Sequence, residues 1–342
     1  MKIVCIADVY INEMMMLDGV RPFLKEEDTV QTFFFGIPDK KMMFDTLRYI
    51  EQRKLDQVET PEGLEEACSD ADLIVVHLCP VRRSLLLKAK RLKAVLSCRG
   101  GLENIEVDAA SELGIIVSNN PAHNANAVAE FTVGMILCET RNIARSHVAL
   151  KSGEWRKNYP NTEYTIRELC DMTVGIIGFG SIGRLVAEKL KPFGPRILVS
   201  DPFVEDAGEY QLVPKETLLA QSDIVTLHVR SNGSVIGPAE FALMKDHSYL
   251  INSARSYLVD RDALFAALDS GKLLGAALDV FETEPDIPAQ YLKYDNLTLT
   301  SHRGGDSINS YKDAPAFAMK NWFSYQSGGE LKFFVNKNAI SI

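Results

Sequence analysis

The sequence predicts an α/β protein of two Rossmann-like domains with doubly wound parallel sheets and an active site in the interdomain cleft. Three observations predict it. Short apolar runs alternate with helical stretches along most of the 342 residues, which implies parallel strands joined by crossover helices. One run ends in a glycine-rich turn followed by a helical pattern, a further run and an acid, the order of a dinucleotide fingerprint. Beyond it, polar residues close successive apolar runs, at the strand ends where open α/β sheets hold ligands.

In order along the chain, the first strand candidates are 3–7, 32–35, 73–78, 94–98 and 115–118. Between them, 43–52 and 63–68 carry apolar residues at helical spacing, the second behind a capping Thr60 and Pro61. Residues 107–113 give a short helix closed by Gly114. Asn119-Asn120-Pro121 breaks this rhythm and marks the expected crossing point. A long amphipathic helix follows through Val128, Phe131, Met135 and Cys138, with asparagine available as N-cap.

Strand candidates resume at 174–177, 197–199, 224–229, 249–252, 275–280 and 297–300, matching a six-stranded doubly wound sheet. Helical stretches at 215–220, 238–244 and 261–270 separate them. After His302, Gly304-Gly305 turns the chain into a helical stretch from 306 to about 325, with Pro315 as a kink or restart. Residues 332–335 read as a last short strand. These final elements are expected to cross back, giving a discontinuous first domain of 1–119 plus 306–342 and a second domain of 120–305.

Composition narrows the class. Hydrophobic content of 46% with 24% charged residues is ordinary for a globular protein. A net charge of −9 argues against nucleic-acid or anionic-membrane partners. No apolar stretch reaches the roughly 20 residues that span a bilayer. The opening Met1-Lys2-Ile3-Val4-Cys5-Ile6-Ala7-Asp8 is interrupted too soon for a signal segment and reads as a strand. The six cysteines are scattered without a C-x-x-C pair, which fits reduced thiols in a cytoplasmic protein. No metal site is expected.

The fingerprint runs Gly178-Phe179-Gly180-Ser181-Ile182-Gly183 and on to Asp201. Gly178 permits the tight turn, Gly180 lets backbone approach a pyrophosphate, and Gly183 lets helix and strand pack closely. The helix N-terminus supplies free N–H groups for the phosphates. Asp201 hydrogen-bonds ribose hydroxyls and repels a 2′-phosphate, so NAD rather than NADP is the expected cofactor. The second domain is therefore the NAD-binding one, with Pro202, His228, Val229, Ser253 and Ala254 at further strand ends beside the cofactor.

Arg255, Asp279, Glu284 and His302 close the later runs. An arginine, an acid–histidine pair and NAD suffice for carbonyl reduction. The arginine anchors a carboxylate bidentately. The histidine gives the carbonyl oxygen a proton, and the carboxylate on its other nitrogen fixes the tautomer and raises the imidazole pKa. Each residue also has a structural alternative. His302 is then a strand-end turn residue, Glu284 a loop acid, and Arg255 an ion-pair partner of Asp260 or Asp262.

Gly178–Gly183 with Asp201, Ile-Asn-Ser-Ala-Arg through Asp260, Leu-Asp-Val-Phe-Glu-Thr-Glu-Pro at 278–285 and Thr-Ser-His-Arg-Gly-Gly at 300–305 resemble the D-isomer-specific 2-hydroxyacid dehydrogenases. The likeness extends over Asn119–Glu130 and Arg99–Ile105. It is most specific over about residues 92–305 and loose over the first ninety. It implies Arg255 as substrate anchor, His302 as acid/base, Glu284 as its partner and Asp279 near the nicotinamide amide. It places Gly100 and Gly101 near the substrate carboxylate in a flavodoxin-like, substrate-binding first domain, and implies a homodimer joined through the coenzyme domains. The substrate is then a small 2-hydroxy or 2-keto acid. An NAD(H)-sensing protein like the family's transcriptional corepressors is the alternative. A formate dehydrogenase would carry a neutral amide in place of Glu284.

Departures from the resembled pattern bear on substrate choice. Ser256-Tyr257 follows the arginine where glycine is frequent, and Arg303 follows the histidine where a small or aliphatic residue is frequent. Arg99 stands in place of a substrate-loop glycine, and the 230–233 segment is short. Arg99, helped by Arg303, is expected to add positive charge and favour a second anionic group on the substrate. The alternative is that both arginines pair with local acids such as Glu103 and Asp306.

Overall fold

The computed structural model describes residues 1–36, 43–159, 166–231 and 233–340, so Asn232 of the short 230–233 segment lies outside the described residues. The chain divides into two compact units, Met1–Asn124 with Ser307–Ile342, and Ala125–Asp306.

The first unit opens with β1 (Lys2–Ala7), α1 (Glu13–Val20), β2 (Thr29–Phe34), α2 (Met43–Glu51), α3 (Leu64–Cys68) and β3 (Leu73–Val76). It continues through α4 (Arg83–Lys88), β4 (Ala94–Ser97), α5 (Val107–Glu112) and β5 (Ile116–Ser118). The five strands are parallel, in the order β2-β1-β3-β4-β5. β3 and β4 are buried along their whole length, which is why they read as continuous apolar runs rather than alternating ones. The edge strand β2 is half exposed. Thr60 and Pro61 do not cap α3; Gly63 does, in a left-handed conformation at φ 74°.

The second unit runs α6 (Ala125–Thr140), α7 (Ile143–Lys151), β6 (Thr173–Ile177), α8 (Ser181–Leu190), β7 (Arg196–Ser200), β8 (Gln211–Leu212) and α9 (Lys215–Gln221). Then come β9 (Ile224–Leu227), α10 (Pro238–Leu243), β10 (Ser248–Asn252), α11 (Arg261–Asp269), β11 (Leu273–Leu278) and β12 (Leu297–Leu299). All pair in parallel in the order β12-β11-β10-β9-β6-β7-β8. Among the described residues the sheet has seven strands rather than six, because the two exposed residues of β8 add an edge too short to leave an apolar run. The order reverses between β6 and β9, so the crevice of this sheet opens at the ends of those two strands.

The chain then returns to the first unit as α12 (Ile308–Lys312) and α13 (Ala314–Gln326). Pro315 sits in the first turn of α13, so it restarts a helix rather than kinking one. Met319 and Trp322 of α13 pack with Ile3, Leu73, Leu96 and Met16 in one core cluster. A Cβ at Gly19 of α1 would fall 2.7 Å from Pro315, so that glycine lets the two helices touch.

Two boundaries differ from the sequence reading. Asn120 stays with the first unit because its N–H donates to the Arg99 carbonyl at 2.9 Å and Gly100 packs on Pro121; the crossing falls after Asn124. Residues 332–335 form no strand but a single bridge, Phe334 to Ser118. There the Asn336 side chain stands in for a strand partner. Its Oδ1 accepts from Val117 N–H at 2.9 Å and its Nδ2 donates to the Ile115 carbonyl at 2.9 Å.

Candidate active site

The glycine turn is built by steric exclusion. Gly178 follows β6 with φ 94°, and a Cβ there would lie 2.5 Å from the carbonyl oxygen of His228 at the end of β9. Only glycine accepts both the conformation and the approach. A Cβ at Gly183 would lie 2.1 Å from the Gly178 carbonyl oxygen, so the first turn of α8 rests directly on the turn. Gly180 differs: a Cβ there would meet nothing within 4 Å. It is the N-cap of α8 and offers no side chain to the first N–H groups, those of Ser181, Ile182 and Gly183. Open space over an uncapped helix N-terminus suits a pyrophosphate.

Asp201 ends β7 with Pro202 behind it. One carboxylate oxygen accepts the Phe179 N–H at 2.7 Å and the other the Phe203 N–H at 2.9 Å. The acid is thereby fixed beside the glycine turn, each oxygen retaining a lone pair for a ribose hydroxyl. These residues fit a bound dinucleotide. Val229 packs on Gly178, and the His228 imidazole bonds Thr226 Oγ1 at 3.0 Å. Burial pushes the His228 pKa down to about 3, so this ring is neutral at working pH.

The loop after β10 is shaped by Asn252, a buried residue. Its Nδ2 donates to the Arg255 carbonyl at 2.9 Å and its Oδ1 accepts from Ala254 N–H at 3.1 Å. Arg255 is left exposed, with one guanidinium N–H on the Ala254 carbonyl. Neither acid offered as its alternative partner takes it. Asp260 caps α11 through Ala263 N–H, and Asp262 pairs with Arg261. The Ser253 hydroxyl lies 2.8 Å from that of Thr132 on α6.

After β12, His302 adopts a left-handed backbone, φ 52°. Its Nδ1 lies 2.7 Å from Glu284 Oε2, and Glu284 Oε1 accepts the Phe281 N–H at 2.7 Å. The His302 side chain remains half exposed, and its Nε2 makes no hydrogen bond among the described residues. Beneath it, Asp279 is buried. One of its oxygens accepts from the Thr300 hydroxyl at 2.6 Å and Arg303 N–H at 2.8 Å, the other from Gly304 N–H at 2.7 Å. Asp279 thus holds the 300–304 loop, a role the sequence reading did not assign to it. Asn252 was missed as well, because a side chain folding its own loop leaves no periodic signal.

Arg99 and Arg303, expected to add positive charge, each lie beside a carboxylate. Arg99, after β4 in the first unit, pairs with Glu103 at 3.3 Å. Arg303 pairs with Asp306 at 2.7 Å. Each arginine thus meets the local acid named as its alternative partner, while Arg99 Nη1 stays buried without a hydrogen-bond partner among the described residues. Glu103 also folds over Gly101, where a Cβ would lie 2.3 Å from its carboxylate, and Gly100 lies against Pro121.

Residues 133–304 match the family profile described as D-isomer specific 2-hydroxyacid dehydrogenase, NAD binding domain. A D-3-phosphoglycerate dehydrogenase of Methanocaldococcus jannaschii is 38% identical over 265 residues, covering 75% of this chain but only 50% of that protein. A hydroxypyruvate reductase of Thermotoga maritima is 36% identical over 259 residues, covering 73% of this chain and 83% of it. Among solved structures, a glyoxylate reductase from Paecilomyes thermophila aligns with a TM-score of 0.70 at 26% identity over 98% of both chains. A profile match spanning the second unit, on a sheet with the fingerprint at its reversal point, settles the kinship: the chain belongs to the D-isomer-specific 2-hydroxyacid dehydrogenases, an NAD-dependent enzyme family.

Proposed function

We propose that the protein interconverts a small D-2-hydroxy acid and its 2-keto acid. The observation that carries this reading is the 2.7 Å contact between His302 Nδ1 and Glu284, one strand end from an exposed Arg255 that makes no ion pair among the described residues, on the sheet that bears the fingerprint. Bound NAD supplies or takes the hydride. Arg255 binds the substrate carboxylate in a two-point fork and draws charge from the adjacent carbonyl. His302 holds a proton at Nε2 and delivers it to the carbonyl oxygen during reduction; in the reverse direction Nε2 receives it. Glu284 keeps the Nδ1 proton in place and stabilises the ring when it is charged.

In this reading Gly100, Gly101 and Arg99 are further substrate-binding residues. The enzyme works as a homodimer, supported by exposed Ile143, Val148 and Leu150 on α7 and nearby Trp155. Its unbridged cysteines, four of them buried, support a reducing, cytoplasmic setting.

The test is NADH oxidation with glyoxylate, pyruvate and hydroxypyruvate, using His302→Ala as control. Turnover of at least one acid that falls roughly 100-fold or more in the variant is expected. Tight NADH binding with no turnover would instead favour a sensor.

A further inference from the structure

The loop that carries Glu284 holds another acid two residues earlier, Glu282, yet it is Glu284 that meets His302. Both acids are exposed, and the His302 side chain is half exposed. An ion pair in contact with water does little to hold its own geometry. The aim of the Glu284 carboxylate must therefore come from the loop beneath it. Its Oε1 accepts the Phe281 N–H at 2.7 Å, so the carboxylate is only as fixed as that amide.

What fixes the amide is Tyr291. Its ring is 4% exposed and stands edge-on to Phe281, with centroids 5.4 Å apart and planes at 81°. It also meets Phe265 edge-on at 5.1 Å, and Phe265 stacks on Tyr294 at 5.0 Å. Phe265, Phe281, Tyr291 and Leu297 share one core cluster, so the tyrosine ring cannot shift without opening a void. Its hydroxyl leaves the cluster and donates to both Glu282 oxygens, at 3.0 and 3.1 Å. Burial and the adjoining carboxylate push the phenol pKa up, which keeps the group a donor.

One side chain thus holds two successive residues, Phe281 by its ring and Glu282 by its carboxylate. That hold brackets the N–H that aims Glu284, and it occupies both oxygens of the neighbouring acid. Further on, the Thr283 hydroxyl donates to the Asp286 carbonyl and the Asp286 N–H to the Thr283 carbonyl, both at 2.8 Å. Those bonds shape the turn but do not tie it to the core.

Resting on the function proposed above, we infer that Tyr291 is a positioning residue for the acid–base pair. It holds Phe281 and Glu282 so that Glu284, rather than Glu282, is aimed at His302. The hydroxyl is the separable part, since Tyr291→Phe keeps the packed ring and releases Glu282.

The test uses the full-length protein with NADH and a 2-keto acid that it reduces. Tyr291→Phe should lower kcat about fivefold or more, the worth of one hydrogen bond, with KM and NADH affinity within about twofold. The same change made in Glu284→Gln should lower kcat by less than about twofold further, because the carboxylate it aims is gone. A hydroxyl that only stabilises the fold would cost the same factor in both backgrounds, and that result overturns the inference. So does an unchanged kcat in Tyr291→Phe, or a loss confined to KM. Hydrogen exchange at the Phe281 amide needs no substrate and should quicken about fivefold or more in Tyr291→Phe, with no change at Ile251 of β10. If the wild type turns over no 2-keto acid, the proposed activity fails and the exchange rates alone decide the role of Tyr291. An unchanged rate at Phe281, or equal quickening at Ile251, then overturns it.

Discussion

Glu284 splits its two oxygens between His302 Nδ1 and the Phe281 N–H, both at 2.7 Å. The backbone bond matters as much as the imidazole one, because it aims the carboxylate without using a side chain that could swing away. Glu284→Gln preserves the shape but can turn its amide nitrogen toward a ring nitrogen or a backbone N–H that needs an acceptor. The expected outcome is a fall in kcat of about tenfold or more with NADH affinity unchanged. Steady-state kinetics with fluorescence titration of NADH would check it, and a change confined to KM would count against the assigned role.

Asp279 makes three hydrogen bonds to the loop that carries His302 and is 1% exposed. In Asp279→Asn the oxygen can still serve two donors, but the amide nitrogen must face an N–H group. A buried donor left without its charged acceptor costs about 1.5–3 kcal/mol. Denaturant unfolding should show that loss, and kcat should fall with it because the left-handed His302 loop loosens. Full stability with full activity would show that the loop is held by something else.

His228 gives a pH dependence with a defined sign. Its ordinary pKa is 6.5, and burial depresses it to about 3 in the folded protein. Below about pH 6.5 the unfolded chain takes a proton that the folded chain refuses, so stability is complete above that pH and declines as the pH falls toward 3. His123, whose pKa burial lowers to about 4, acts in the same direction. Unfolding free energies measured from pH 7.5 to 5 should decline toward acid, and less steeply in His228→Asn. Equal slopes would mean that other groups carry the effect.

What the sequence made legible follows from where its constraints are local. The glycine turn could be read because Gly178 and Gly183 answer to steric contacts within a few residues or one neighbouring strand. β3, β4 and β10 could be read because burial on both faces enforces unbroken apolar runs. His302 and Glu284 could be placed only at strand ends; their 2.7 Å contact depends on how two loops fold. Arg99 shows the limit most clearly. Its charge was visible and Glu103 could be named as one of two outcomes, but that the glutamate folds back over Gly101 to reach it could not be read. Asn336 in place of a last strand partner was equally hidden, since it replaces a ladder with side-chain bonds.

Gly180 and Gly183 separate binding from folding within one turn. A methyl group at Gly183 meets the Gly178 carbonyl oxygen at 2.1 Å, a backbone atom that cannot step aside. Gly183→Ala must therefore push α8 off the turn at a cost of about 1–3 kcal/mol, the usual range for overpacking. Gly180 has φ −76° and open space around it, so Gly180→Ala should fold with near wild-type stability. Its methyl would instead occupy the room over the uncapped helix N-terminus where backbone and pyrophosphate approach each other. NADH affinity should then drop about tenfold or more in Gly180→Ala while the unfolding midpoint stays put, and the midpoint should fall in Gly183→Ala. Thermal unfolding with and without NADH distinguishes the two, because ligand stabilisation disappears in the first variant at unchanged intrinsic stability. A Gly180→Ala protein that binds NADH as tightly as wild type would move the pyrophosphate away from this turn.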